Sequence, residues 1–247
     1  MTERAPPHPI LHEHYATEHD RASFVRALFD RTAAQYDRAN SVFSFGTGAW
    51  YRRHALAIGG MRPGMRVLDV AVGTGWVASA AQRVLGTGND IVGLDVSAGM
   101  LRAARLRLDI PLIQAAAEAL PLADASVDFV TMGYALRHVS DLGVVFREFH
   151  RVLRPGGRLL MLEIGRPAGR VGFALAKLYL KRLLPAVSHL ISPRTSLAEL
   201  MDYYWDTIEH CVAPAAILGQ LADNGFADVG CRTDLGLFQA YQARRPL

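Results

Sequence analysis

Hydrophobic positions divide the chain into a helical front, an alternating centre and an apolar back. From Ser23 the apolar residues Phe24, Val25, Leu28 and Phe29 recur at helical spacing. Residues 29–53, FDRTAAQYDRANSVFSFGTGAWYRR, are punctuated by polar residues and glycines and predict two short helices. Between about 62 and 164, short apolar runs alternate with amphipathic stretches, the pattern of an α/β protein with parallel strands. The predicted strands are 65–72, 90–96, 111–116, 127–136 and 158–167, with helices at 76–84, 98–108 and 142–153. Ser97 is placed to N-cap the second of these helices, and Arg154-Pro155-Gly156-Gly157 ends the third. Residues 171–192 form a strongly apolar helical stretch broken at Pro185, and 195–212 predict another helix. A helix ending near Gly225 and two closing strands finish the chain.

Composition narrows the picture. At 247 residues and 51% hydrophobic, the chain suits one globular domain with a sizeable core. The net charge is +4, but the basic residues are scattered without an aromatic-interleaved stripe, so no nucleic-acid partner is expected. Cys211 and Cys231 lack metal-ligand spacing, which predicts no metal site and makes a reduced, cytoplasmic compartment the default. The first fifteen residues lack the apolar core of a signal peptide, and no apolar run is long enough to span a bilayer. Residues 1–20 are polar and rich in proline, with His8, His12, His14 and His19 pairing with no other ligand. They predict a loose, solvated tail over 1–22, ahead of a single domain over 23–247.

The candidate chemistry centres on residues 67–76, VLDVAVGTGW. An apolar strand runs into a glycine turn and then a helix, whose free N–H groups face whatever binds there. Gly73 to Ala78 satisfies the dinucleotide pattern G-x-G-x-x-A, so a nicotinamide cofactor is one reading. Asp69, four residues before Gly73, favours another. A carboxylate beside the turn repels a pyrophosphate but attracts the ammonium of a bound amino acid. S-adenosylmethionine carries that ammonium, a ribose and no phosphate. Asp95, near the end of the next strand, can accept the ribose hydroxyls. The plainer alternative is that Asp69 only caps the turn.

Larger stretches carry a resemblance. FDRTAAQYDRAN, SFG with a following tryptophan, LDVAVGTG, GLDVSAGML, AEALPLAD, YALRHVSD, RVLRPGGRLLMLEIGRP and LYLKRLLPAVSHLIS closely resemble the ubiquinone/menaquinone biosynthesis C-methyltransferase family. That family is a branch of the class I S-adenosylmethionine-dependent methyltransferases, and the likeness covers residues from about 24 to 232. It implies an α/β fold: a doubly wound, seven-stranded Rossmann-like sheet with a reversed last strand. An N-terminal helical lid (23–60) and a helical substrate lid inserted after strand five (171–212) complete it. By resemblance Asp69, Ala71, Gly73 and Gly75 hold the methionine end, Asp95 the ribose, and Met100 packs on the adenine. Tyr36 approaches the cofactor, and Val96, Ala116, Ala117, Glu118 and Gly133 complete its site. Phe45, Tyr134, Tyr179, Tyr203 and Tyr204 are the substrate candidates, and the acceptor is expected to be an apolar aromatic small molecule. Transient membrane-surface contact and a homodimer are both compatible with this reading.

Three departures stand out. Ala116 replaces the family's usual Asp or Asn before AE, the family's LRN is Leu136-Arg137-His138 here, and the C-terminal end differs. Trp76 stands where relatives carry a small or acidic residue, and it is expected to shape the methionine side. Carbon methylation of a phenol needs phenolate character and a base for the ring proton. Arg137 is the expected phenolate stabiliser and His138 the expected base, directly or through water. The structural alternatives are an Arg137–Asp141 salt bridge and a packing or capping His138. Glu163 lines the pocket or forms a solvated strand terminus. O- or N-methylation, a non-catalytic cofactor-binding scaffold and a nicotinamide oxidoreductase remain the alternative functions.

Overall fold

The computed structural model describes residues 4–44, 48–86, 88, 90–167, 169–183 and 196–247. Its central apolar runs become β1 (Arg66–Val70), β2 (Asp90–Asp95), β3 (Leu112–Gln114), β4 (Val127–Gly133) and β5 (Leu153–Ile164), and the closing pair is β6 (Ala227–Asp234) and β7 (Phe238–Arg244). The helices are α1 (Glu18–Ser44), α2 (Gly48–Ile58), α3 (Trp76–Leu85), α4 (Ala98–Arg105), α5 (Leu142–Val152), α6 (Arg170–Leu178), α7 (Ser196–His210) and α8 (Pro214–Asp223). The seven strands form one sheet in the order β3-β2-β1-β4-β5-β7-β6. Strands β1 to β5 pair in parallel, and β7 runs antiparallel to both β5 and β6. This is the doubly wound sheet with a reversed last strand. Val67, Leu68, Val70, Phe129, Val130 and Leu160 are fully buried, as expected for strands covered on both faces. The order reverses between β1 and β4, so the ligand crevice opens at their carboxyl ends.

Several boundaries differ from expectation. Gly156 and Gly157 do not end α5 in a loop but belong to β5, because Gly156 N–H donates to the Arg245 carbonyl and Arg245 N–H to the Gly157 carbonyl, both at 2.9 Å. Strand β4 stops at Gly133, where Tyr134 takes φ +60° and the chain enters a 3-10 turn over Leu136–His138. At the front, α1 is one 27-residue helix beginning at Glu18. Thr17 and Asp20 cap it reciprocally, with backbone-to-side-chain bonds of 3.0 and 3.3 Å. Helix α6 runs into a π-helical turn, Tyr179–Leu183; Pro185 lies outside the described residues. Among the described residues no helix is long and apolar enough to cross a membrane.

The N-terminal segment is packed rather than solvated. His8, Leu11 and Tyr15 are buried around Arg21, which donates to the Tyr15 hydroxyl at 3.1 Å and the His8 carbonyl at 3.0 Å. The backbones of Ala5 and Pro7 pair with Leu142 and Val212. His14 lies 2.9 Å from Asp206 on α7. Composition hid this because one buried arginine organises residues that look polar individually.

Candidate active site

The glycine turn sits where β1 gives way to α3. Ala71, Gly73 and Gly75 have φ of 54°, 55° and 91°, a left-handed run that lifts backbone toward the crevice. A Cβ on Gly75 would come within 2.6 Å of Leu108, so this glycine serves close packing against the chain after α4. Asp95, from the end of β2, accepts from the Gly73 and Ser97 amides, each at 2.8 Å. Burial lifts its carboxyl to about 6 against the pull of those amides. Each of its oxygens keeps a lone pair that can accept a ribose hydroxyl.

Asp69 lies on β1, fully buried and not among the described residues that line a cavity. Neither carboxylate oxygen has a partner with hydrogen-bond geometry, and neither does the hydroxyl of Thr131, its register neighbour on β4. Burial pushes Asp69 well above the carboxylate range, with the Ala78 amide opposing weakly and Asp95 adding to the rise. A buried carboxylate in this setting needs a proton or a cation. An amino-acid ammonium fits that requirement, and a phosphate does not.

Helix α1 clasps this turn through two acids one helical face apart. Asp30 accepts from the Ser97 hydroxyl at 2.6 Å and the Gly99 amide at 2.7 Å, at the start of α4. Burial opposes its charge, but those two bonds together with the charges of Arg26 and Arg102 hold it below the usual carboxylate range. Asp37 accepts from the Thr74 hydroxyl at 2.6 Å and the Trp76 indole at 3.0 Å, and pairs with Arg107 at 2.8 Å. The Arg107 guanidinium lies 4.0 Å from the centre of the Trp76 ring and also donates to the Thr74 carbonyl. Trp76 is therefore held between α1 and the turn.

Two cavities meet at the carboxyl edge of the sheet. The first, of about 160 Å³, is lined by the glycine turn, Asp95, Met100, Ala116, Ala117 and Glu118 beneath α1. The second, of about 530 Å³, lies among α2, α6, α7 and the β6–β7 hairpin. Tyr36, Arg52, Tyr134 and Tyr204 line both and form the partition. Across it the Tyr204 hydroxyl donates to Tyr36 at 2.7 Å, and burial raises both phenols so that they stay neutral.

The 3-10 turn after β4 sends its two candidate residues to different cavities. Arg137 lines the second. Its Nη1 meets Glu163, its Nε donates to Thr207 at 3.2 Å, and its Nη2 is buried with no partner. Glu163, also buried, accepts from the Leu136 amide at 2.7 Å. It is thus neither a solvated terminus nor a cavity wall. Asp141, the alternative partner considered for Arg137, instead caps α5 through the Val144 amide at 3.0 Å. His138 lines the first cavity, stacked at 5.6 Å on Tyr204 and bonded through Nδ1 to the Tyr203 hydroxyl at 3.2 Å. Its Nε2 is buried and unpartnered. Burial, then the nearby Arg137 charge, push it well below the usual histidine value, so it is neutral.

The structure gathers most of the sequence-predicted residues here. Tyr36, Ala71, Gly73, Asp95, Val96, Met100, Ala116, Ala117, Glu118 and Gly133 line the first cavity, and Glu118 also accepts from the Ser140 amide and hydroxyl at 2.8 Å. Asp69 and Gly75 stand behind that lining. Tyr134, Tyr179 and Tyr204 line the second cavity, whereas Tyr203 is fully buried against Phe24 and His14 and lines neither. Phe45 lies outside the described residues. Sequence reasoning missed Arg52, buried with its guanidinium 5.5 Å from the Tyr134 ring, and the hairpin residues Asp234, Leu235, Leu237 and Phe238. It also missed the roles of Asp30 and Asp37, whose seven-residue spacing on a helix was the available signal.

Known proteins resemble this chain in sequence and fold. The model of the ubiE/COQ5 methyltransferase family matches residues 16–234. The ubiquinone/menaquinone biosynthesis C-methyltransferase UbiE of Shewanella sp. (strain W3-18-1) is 34% identical over 216 residues, 85% of either chain. The protein of that name from Shewanella oneidensis is equally similar, at 34% over 85% of either chain. Among solved structures, an S-adenosylmethionine-dependent methyltransferase from Thermotoga maritima superposes with a TM-score of 0.64 at 18% identity, covering 90% of this chain and 99% of the other. A second, from Aquifex aeolicus, gives 0.57 at 19% identity over 78% of this chain and 88% of the other. These two share the fold.

Proposed function

Because the chain belongs to the ubiE/COQ5 methyltransferase family, and is therefore an S-adenosylmethionine-dependent methyltransferase, we propose that it methylates a ring carbon of an apolar phenol or quinol. The observation that carries this reading is Arg137: its buried, unpartnered Nη2 belongs to a side chain lining a large, mostly apolar and aromatic cavity. Arg52 also lines this cavity, but it is the Arg137 Nη2 that stands ready to donate to an anionic oxygen on an aromatic acceptor. Bound S-adenosylmethionine supplies the electrophilic methyl group.

On this reading Asp95 accepts the ribose hydroxyls, Met100 packs on the adenine, and Asp69 balances the ammonium. Val96, Ala116, Ala117 and Glu118 surround the base, and Gly133 and the glycine turn leave room for the methionine end. Helices within 23–60 and 171–212 act as the two lids of one domain. Arg137 holds the phenolate oxygen, so that electron density on the adjacent ring carbon forms the new carbon–carbon bond while the methyl–sulfur bond breaks and its electron pair stays on sulfur. Tyr134, Tyr179 and Tyr204 bracket the ring. His138, neutral and on the donor side of the partition, takes the ring proton directly or through water. The lids exclude water, so alignment supplies much of the rate.

The test is radiolabelled methyl transfer to a panel of phenols and quinols, with proton NMR of the product. Carbon methylation removes one ring-proton signal. A product that keeps every ring proton and carries the label on oxygen or nitrogen overturns the carbon assignment.

A further inference from the structure

Two large apolar side chains stand exposed on the second cavity. Trp50 is 59% exposed and Leu235 is 91% exposed, yet both line it. The Trp50 ring is held by stacking on His54, with centroids 4.9 Å apart and planes 11° from parallel. Inward of them the lining includes Tyr51, Ile164, Ile208 and Phe238.

Leu235 occupies a turn position that suits leucine poorly. Strands β6 and β7 pair out to Asp234 and Phe238, and the Leu237 amide donates to the Asp234 carbonyl at 3.2 Å. Leu235 and Gly236 both have positive φ, 53° and 66°. Positive φ at both central positions is the pattern of a type I′ hairpin turn, where Asn, Asp or Gly is favoured first. Leucine there strains the backbone and leaves apolar surface in water. Folding rewards neither, and strain of this kind concentrates at binding sites.

We propose that Leu235 and Trp50 are specificity-determining residues that grip an apolar substituent of the acceptor where it leaves the cavity. They thereby select tailed over bare phenols and quinols. This rests on the aromatic-acceptor reading above. Burial of the leucine and indole surfaces against such a substituent removes both from water, which accounts for their exposure in the free protein.

The test uses the full chain with saturating S-adenosylhomocysteine and two probes, hydroquinone and 2-dodecylhydroquinone, under anaerobic conditions. Calorimetry gives the affinity ratio between the probes. The parent is expected to prefer the tailed probe by about 100-fold, and Leu235→Asn and Trp50→Ala each to cut that preference by about tenfold. Asparagine suits the turn better than leucine, so Leu235→Asn is expected to melt no lower than the parent, and Leu235→Met to retain the preference. A preference unchanged in Leu235→Asn, or an equal loss of affinity for both probes, overturns the proposal. Methyl transfer assays separate it from the reaction itself. A rim-dependent preference without methylation overturns the reaction and leaves the rim standing. Methylation of both probes without that preference does the reverse.

Discussion

Arg137 and His138 are adjacent in sequence, but the 3-10 turn gives them different electrical surroundings. The Arg137 charge is balanced by buried Glu163, while His138 sits neutral among aromatic rings. Removing Glu163 would leave an uncompensated buried cation. Glu163→Ala is therefore expected to cost about 3–5 kcal/mol in urea unfolding, with replacement of both partners by methionine costing less. His138 carries the base role in the proposed reaction, so His138→Ala should lower turnover about 10²–10⁴-fold. Since burial lowers its pKa, the acidic limb of the parent's rate profile should lie well below pH 6.5 and vanish in the variant. Unchanged turnover and profile would remove the base role. The pair was legible in sequence because it follows a strand in an α/β pattern. Its true acidic partner was not, because the register Gly133↔Leu162 brings Glu163 beside the turn from a strand many residues away.

Helix α1 acts as one element because its two acids reach two different neighbours. Asp30 satisfies the Gly99 amide at the start of α4, where a negative charge also suits the helix dipole. Asp37 ties the same helix to Thr74, Trp76 and Arg107 around the glycine turn. Asp37→Asn weakens these charge-assisted bonds and should loosen α1 from the turn. S-adenosylhomocysteine affinity is expected to fall about tenfold, with faster proteolytic cleavage of α1 and little change in melting temperature. A variant that binds S-adenosylhomocysteine as tightly as the parent would show that α1 does not cover the cofactor. The sequence split this front into two short helices, since Asn40, Ser44 and Gly46 read as breakers. That local preference is weak, and α1 continues to Ser44.

At the scale of the molecule, the sheet was readable because parallel strands buried on both faces are apolar runs, and glycine or proline marks their ends. The division into two cavities was not, because the second draws on α2, α6, α7 and the β6–β7 hairpin, which only the fold brings together. The packed N-terminal segment was equally hidden, and it gives the folded state a pH dependence of its own. His8 is lowered to about 4, first by burial and then by Arg21. Between pH 6.5 and about 4 the unfolded chain therefore binds a proton that the folded chain does not. Stability falls on acidification through that window, by at most about 1.4 kcal/mol per pH unit. Asp95 has the opposite sign. Its folded value of about 6 exceeds the ordinary 3.8, so the folded chain takes its proton first and stability rises as pH falls from 6 to 3.8. The two contributions oppose each other between pH 6 and 4. Other buried groups are common to parent and variants and drop out of the comparison. Relative to the parent, His8→Gln should gain stability between pH 7 and 4.5, and Asp95→Asn should lose it. Urea midpoints at pH 7, 5.5 and 4.5 measure both. Variants that move in the same direction would show that His8 is not held neutral by burial and Arg21, or that burial does not raise Asp95. In the proposed cofactor pose ribose hydroxyls donate to the ionised Asp95, so S-adenosylhomocysteine affinity should weaken below about pH 6 in the parent and in His8→Gln alike.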